Sequence, residues 1–198
     1  MDVQKDTESS EKRTLGEPDY VLDRIQRGLV GYISYLAACD MNPSFSEYVL
    51  YEPILRILIA QGYRVECEYP LPKSEPTKRG DYKRIDFVAF HTEFAFALEV
   101  KWIDEVNVNL AGDIEKLNSF IDEEWKSFLC IFGRKSHIKD FKMPQGFKQN
   151  GKFVCADLFI TKYGCKIYEL TERIEIQEEK KPVKAIAAVE GTLTTVQE

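Results

Sequence analysis

The chain of 198 residues carries a formal net charge of −6, and 44% of its residues are hydrophobic. This length fits one domain with tails, and the apolar fraction suffices for a core of ordinary size. No apolar run approaches the ~20 residues of a membrane span, and residues 1–10 lack the basic and apolar segments of a signal peptide. We therefore expect a cytoplasmic protein with no membrane partner.

The five cysteines are scattered, and no pair has the Cys-x-x-Cys spacing of a structural zinc site. Reduced, buried thiols are expected instead. The acidic balance argues against a general nucleic-acid-binding protein. Much of the acidity falls near the two ends, however, whereas basic residues group at 73–84 and 134–152. Local potential decides where a polyanion docks, so these two segments are candidate phosphate contacts.

The first predicted elements are helices. Residues 1–18 are polar and are predicted to form a disordered tail. Residues 19–38 have apolar side chains at helical spacing, with Asp19 as the candidate N-cap. A Ser-x-x-Glu capping box opens a second predicted helix at 44–61, in which Pro53 implies a kink or a restart.

Strands dominate the rest of the chain. Apolar runs predict strands at 63–71, 84–90, 94–102, 127–132, 153–161 and 165–170. The second and third are close enough to form a hairpin, a helix at 107–125 precedes the fourth, and 134–150 is a basic loop or short helix. This order predicts an α/β fold over 19–170, with one central mixed β-sheet flanked by helices, and a charged tail at 171–198.

The strand at 94–102 has two unlike faces, because successive side chains alternate. One face is wholly apolar and consists of Phe94, Phe96, Leu98, Val100 and Trp102. The other consists of Ala95, Ala97, Glu99 and Lys101. Desolvating an acid and an amine on so hydrophobic a strand is expensive, so the pair calls for an explanation.

The hairpin register supplies a candidate explanation. If Thr92 and Glu93 form a two-residue loop, Asp86 faces Glu99 across the ladder. Opposed carboxylates repel each other, and a divalent cation would remove the repulsion. Mg²⁺ takes one or two carboxylates with waters and phosphate oxygens, and Lys101 would orient or help deprotonate a bound water and stabilise developing charge. The alternative is a solvated edge strand with a cross-strand ion pair.

The segment Arg84-Ile85-Asp86-Phe87, followed on the next strand by Glu99-Val100-Lys101, resembles the PD-(D/E)XK nuclease superfamily. The resemblance covers about residues 44–132 and lacks the proline of the superfamily's name. It implies a restriction-endonuclease-like αβββαβ core, here with an extra N-terminal helix. It also implies phosphodiester hydrolysis with Mg²⁺, which Mn²⁺ can replace. Asp86 and Glu99 would then be metal ligands, and Lys101 the catalytic lysine.

The resemblance also implies an acid from the first helix of the core. Glu52 is the first candidate and Glu47 the second, because the capping box would occupy Glu47; for both, an ordinary exposed helix acid is the alternative. In the helix after the third strand, Asp113 and Lys116 are three apart on one face. Both residues would support the site, and Lys116 would also touch substrate. The alternative is that they form a surface ion pair.

The predicted function is a metal-dependent nuclease that acts on nucleic acid, with DNA favoured over RNA as the substrate, in a setting such as restriction, phage defence or repair. Its candidate substrate-binding residues are Lys116, Lys78, Arg79, Lys83 and Arg84. The alternative is a catalytically inactive module of the same fold that binds nucleic acid or a protein partner, because fold alone does not decide function. A homodimer or a partner subunit is compatible with either.

Overall fold

The computed structural model describes residues 17–41, 46–71, 82–92, 94–105, 108–121, 125–156 and 162–176. Within these ranges the chain forms one mixed six-stranded sheet with helices packed on it, which confirms the predicted α/β class. No helix in the described ranges is long and apolar enough to cross a membrane. Lys78, Arg79 and most of both predicted tails lie outside the described residues.

The helices of the described chain are α1 (Pro18–Ala38), a 3-10 helix (Glu47–Leu50), α2 (Tyr51–Ala60), α3 (Ala111–Ile121) and α4 (Lys135–Asp140). The strands are β1 (Arg64–Pro70), β2 (Arg84–Phe90), β3 (Ala95–Ile103), β4 (Lys126–Arg134), β5 (Phe147–Ala156) and β6 (Tyr163–Leu170). They lie in the order β1-β2-β3-β4-β6-β5. The neighbours β3 and β4 are parallel and are joined through α3, whereas the other neighbouring pairs are antiparallel.

The alternating side chains of the strands divide the core between the two faces of the sheet. Helices α1 and α2 pack on one face, against residues that include Phe87, Phe96, Leu98, Val100 and Phe128. Helix α3 and Ile138 of α4 pack on the other face, against residues that include Ile85, Ala97, Leu129 and Ile131. The apolar face predicted for β3 is therefore confirmed for Phe96, Leu98, Val100 and Trp102, whereas Phe94 precedes the strand. The charged residues Glu99 and Lys101 each pair with a residue of α3.

The start of α1 differs from the prediction. Glu17 occupies the N-cap position and Pro18 lies in the first turn, where its fixed φ suits a helix and its missing N–H costs nothing. The prediction that Asp19 is the N-cap is therefore wrong. Asp19 lies in the first turn, and its Oδ1 accepts a hydrogen bond of 2.8 Å from Nδ2 of Asn150 on β5.

Of the two outcomes predicted for the second helix, a kink or a restart with Pro53 in the first turn, the restart is confirmed. A 3-10 turn over Glu47–Leu50 comes first, and α2 starts afresh at Tyr51 with Pro53 in its first turn. The helix ends at Ala60 with Gln61 as its C-cap, and Gly62 follows with a φ of +85°. The 3-10 turn matters for the site, because Glu47 on the turn and Tyr51 directly after it both reach the sheet.

Candidate active site

The strands β2 and β3 stop pairing through their main chains at Asp86 and Glu99. Their ladder runs from Phe90 and Ala95 to Phe87 and Leu98, which confirms the predicted register. Beyond it, Asp86 Oδ2 accepts the Val100 N–H at 2.6 Å, and Glu99 Oε2 accepts the Asp86 N–H at 3.2 Å. Two carboxylates therefore replace ladder carbonyls as acceptors at the point where the strands part.

Burial makes this pair of carboxylates unusual. The Glu99 side chain is only 3% exposed. Burial, together with the charge of Asp86, raises the pKa of Glu99 to about 8. Burial also raises the pKa of Asp86, although hydrogen bonds from Tyr51 and Val100 oppose the rise. The two carboxyl groups resist being ionised together, which is the electrostatic problem that a bound cation relieves.

Each carboxylate uses its other oxygen to bind a side chain. Asp86 Oδ1 accepts the hydroxyl of Tyr51, and Glu99 Oε1 accepts the ammonium group of Lys116. Burial and the neighbouring Asp86 raise the pKa of Tyr51. Burial would lower the pKa of Lys116, but the hydrogen bond and charge of Glu99 outweigh it and the pKa is raised.

Lys101 lies between two further acids. Its Nζ is 3.7 Å from Oε1 of Glu47 and 3.5 Å from Oδ2 of Asp113, and its side chain is 26% exposed. Glu47 Oε1 also accepts the Trp102 N–H at 3.0 Å. Lys101 is therefore held by one acid from the 3-10 turn and one from α3, within reach of solvent. We call the place where β2 and β3 part, from Asp86 and Glu99 onward, the β2–β3 opening.

Asp113 and Lys116 both belong to this cluster. Each pairs with a residue of β3, Asp113 with Lys101 and Lys116 with Glu99. The alternative of a surface ion pair between Asp113 and Lys116 is therefore wrong. Helical spacing had placed them on one face of α3, and the crossover between parallel strands lays that face beside β3.

The structure does not bring Glu52 to the cluster. Its side chain is 53% exposed and forms an ion pair with Arg56, one turn later on α2. Glu47, the second choice, is the helix acid that lies there. The reason is that Glu47 lies in a 3-10 turn that leads into α2, and a 3-10 turn places its side chains differently from the continuous α-helix that the sequence suggested.

Two predicted substrate-binding residues lie where β2 begins: Lys83 directly before the strand and Arg84 as its first residue. Lys83 Nζ is 2.5 Å from Oε1 of Glu115 on α3, and both side chains are about half exposed. Arg84 is exposed and is paired with Pro70 in the β1–β2 ladder. Lys78 and Arg79 lie outside the described residues, so their part in binding stays a prediction.

Sequence reasoning missed Tyr51 and Glu68. The Tyr51 hydroxyl contacts Asp86 and is also 2.9 Å from Oε1 of Glu68 on β1. Glu68 has a φ of +52°, which is uncommon for a residue with a side chain. No local pattern marks either residue, because Tyr51 reads as an ordinary aromatic residue of a helix and Glu68 as the polar position of an alternating strand.

The donor chemistry at this opening fits Mg²⁺. That ion commonly binds one or two protein carboxylates and completes its shell with water and substrate phosphate oxygens. Asp86 and Glu99 provide the two carboxylates on adjacent strands. Among the described residues, no group of three or more His, Cys, Asp or Glu side chains is placed to hold a metal ion. Any Mg²⁺ held here would therefore depend on water and substrate for its remaining ligands.

Comparison of the chain with protein-family models, with curated proteins and with solved structures gave no match. The functional argument therefore rests on the geometry of this cluster.

Proposed function

We propose that this chain is a divalent-metal-dependent nuclease of the PD-(D/E)XK type that hydrolyses phosphodiester bonds in nucleic acid. The observation that carries the proposal is the replacement of ladder bonds by Asp86 and Glu99 where β2 and β3 part, with Lys101 beside them on β3. A scaffold needs no buried carboxylates to close such a ladder, and desolvating them is costly. Groups with raised pKa values in this arrangement are typical of functional sites.

Asp86 and Glu99 would hold the metal ion. One oxygen of each is fixed by a backbone N–H, which orients the carboxylate. The other oxygen is occupied only by a side chain, Tyr51 or Lys116, that can turn away. A bound Mg²⁺ would supply charge neutralisation at the scissile phosphate and lower the pKa of a water molecule.

Lys101 would act on the phosphate directly. An ammonium group held in a partly buried position stabilises negative charge that develops on phosphate oxygens. Glu47 and Asp113 lie on opposite sides of Lys101 and position it for that role. Lys116, once released from Glu99, offers a second ammonium group to the substrate.

A non-catalytic binding module is the second candidate. All four carboxylate oxygens of Asp86 and Glu99 already accept hydrogen bonds within the protein, so the site is satisfied without metal. The net charge of −6 also disfavours broad affinity for nucleic acid. Such a module would bind nucleic acid or a protein partner and would not hydrolyse it.

Incubation of the chain with plasmid DNA, single-stranded DNA and RNA, in Mg²⁺, Mn²⁺ or EDTA, separates the two candidates. The proposal predicts cleavage with either metal and none in EDTA. The variant Asp86→Asn should lose cleavage, whereas Asp140→Asn, a matched change on the exposed end of α4, should keep it. Binding without cleavage in both metals would favour the binding module, and undiminished cleavage by Asp86→Asn would exclude this site.

A further inference from the structure

The 3-10 turn before α2 carries an exposed aromatic ring at the edge of the candidate site. Tyr48 is 74% exposed. It directly follows Glu47, whose carboxylate reaches Lys101, and precedes Tyr51 by three residues. Side chains three apart lie one above the other along a 3-10 turn. The two tyrosine rings accordingly lie with centroids 5.4 Å apart, and the Tyr51 hydroxyl touches Asp86.

The charge of the site sets a requirement for any polyanion that enters. In the described part of the chain, the cluster and the Glu68 side chain beside Tyr51 hold five carboxylates against the ammonium groups of Lys101 and Lys116; the acids are Glu47, Glu68, Asp86, Glu99 and Asp113. Phosphate groups alone gain little attraction there before a cation binds. A contact that needs no charge is therefore valuable at this edge, and an exposed aromatic ring provides one by stacking on a base.

Stacking of this kind discriminates between forms of nucleic acid. A base within a duplex already stacks on its neighbours and offers no free face, whereas an unpaired base does. Tyr51 touches both the Tyr48 ring and Asp86, so a base on Tyr48 would leave its own or the adjacent phosphate near the carboxylates. The position suits a nucleotide that is already outside a duplex.

We propose that Tyr48 is a stacking platform for an unpaired nucleobase, and that the substrate is single-stranded nucleic acid or the single-stranded part of a junction. This inference rests on the proposed nuclease function and names its substrate class. The face of a base is the same chemistry in DNA and RNA, so the ring itself selects unpaired bases and not the sugar.

Fluorescence anisotropy with short labelled oligothymidylate, oligouridylate and blunt duplex DNA tests the proposal, in Mg²⁺ and in EDTA at several salt concentrations. Tyr48→Ala should weaken binding of both single strands about 10- to 100-fold, the usual loss for one stacked base. The slope of affinity against salt should not change, because no phosphate contact is removed. Tyr48→Phe keeps the ring and should bind like the wild type. Tyr35→Ala removes a tyrosine that is 64% exposed on α1 and is the matched control.

Equal single-strand binding by the wild type and Tyr48→Ala would overturn the proposal, as would equal weakening by Tyr48→Phe, an altered salt slope, or no binding by the wild type. A change of oligomeric state in Tyr48→Ala without a loss of binding would instead place the ring in an interface between copies of the chain. Ring-dependent binding without cleavage would exclude hydrolysis and leave the platform standing. Cleavage of single strands with the same KM in Tyr48→Ala and Tyr35→Ala would exclude the platform and leave the nuclease standing.

Discussion

The strand pairs β2–β3 and β4–β6 are both antiparallel, yet they satisfy their backbone groups differently. Between β4 and β6 the main-chain pairing continues along the whole of residues 127–134. Between β2 and β3 it stops at Phe87 and Leu98, and Asp86 and Glu99 bind the next amides instead. A ladder needs no particular side chains, whereas this opening depends on two specific acids.

The two pairs also differ in what they bury. Strand β4 buries a nearly continuous apolar run, Ser127–Gly133, on both faces of the sheet. The β2–β3 opening buries carboxylates whose pKa values are raised by desolvation. Burial of apolar side chains stabilises the fold. Burial of carboxylates lowers the stability of the fold but places reactive groups together at one site. We therefore expect changes in β4–β6 to affect folding, and changes at the opening to affect activity.

Phe128→Ala should have the largest effect on stability. The Phe128 side chain is fully buried in the core on the α1–α2 face of the sheet, so its removal should lower the free energy of unfolding by about 3–5 kcal/mol. The measurement is urea unfolding, with the slope unchanged. At a temperature where the variant stays folded, its metal-dependent cleavage per folded molecule should equal that of the wild type. A loss of cleavage in the folded variant would break the division between the two strand pairs.

Lys101→Met should have a large effect on activity and only a small effect on folding. Removing one preorganised group that stabilises transition-state charge typically lowers the rate about 10²- to 10³-fold. Lys126→Met is the matched control, because Lys126 pairs with Glu169 at the start of β4, away from the opening. Single-turnover cleavage rates compare the two. Equal rates would show that the lysine of β3 takes no part in the chemistry.

Lys166→Met tests whether a buried charge in the β4–β6 pair affects stability rather than activity. Lys166 on β6 is buried. Burial lowers the pKa of Lys166, and Asp140 partly offsets the effect. A base whose pKa is lowered by folding destabilises the protein while it is protonated, and this cost fades as the pH rises from the folded toward the unfolded pKa. Lys166 Nζ also donates a hydrogen bond to the Lys139 carbonyl, which the variant loses at every pH. The melting temperature of the variant relative to that of the wild type should therefore be highest near neutral pH and should fall toward about pH 10. A difference that stays constant with pH would contradict this reading of Lys166.

Glu47→Gln and Glu52→Gln should change the cleavage rate least among these variants. The two positions lie close together in sequence, yet only Glu47→Gln should slow cleavage. Glu47 positions Lys101 and accepts the Trp102 N–H, so its loss should slow cleavage about tenfold, consistent with the loss of one supporting interaction. Glu52 pairs with Arg56 at the surface, and its variant should cleave like the wild type. Steady-state kinetics on one single-stranded substrate compare them, and the reverse order would restore Glu52 as the helix acid.

The sequence predicted the opening better than its surroundings. Period-two alternation and a short loop determine a hairpin register, so the facing of Asp86 and Glu99 followed from counting residues. The choice between Glu47 and Glu52 did not follow from counting residues, because it depends on where a 3-10 turn gives way to α2. Strand β5 begins at Phe147, whereas the sequence predicted a start at 153. The prediction missed the first half because that half is polar, as an edge strand can be, and so shows no apolar pattern.

The contribution of Tyr51 was also beyond sequence reasoning, for a different reason. Its hydroxyl meets Asp86 across 35 residues of chain, and a long-range hydrogen bond of this kind leaves no spacing pattern. Asp113 and Lys116 were recognised as one face of a helix, but which charged partner each would meet depended on how α3 crosses β3.

Metal-dependent thermal stabilisation of Glu99→Gln is the most direct test of the central claim. A ligand that binds only the folded state must raise its melting temperature, so Mg²⁺ should stabilise the wild type. Glu99→Gln keeps an acceptor for the Asp86 N–H but loses a carboxylate, and it should show neither the Mg²⁺ shift nor cleavage. The matched variant Glu169→Gln, on β6, should show both. An equal Mg²⁺ shift and equal cleavage in Glu99→Gln and Glu169→Gln would contradict the assignment of the β2–β3 opening as the metal-binding and catalytic site.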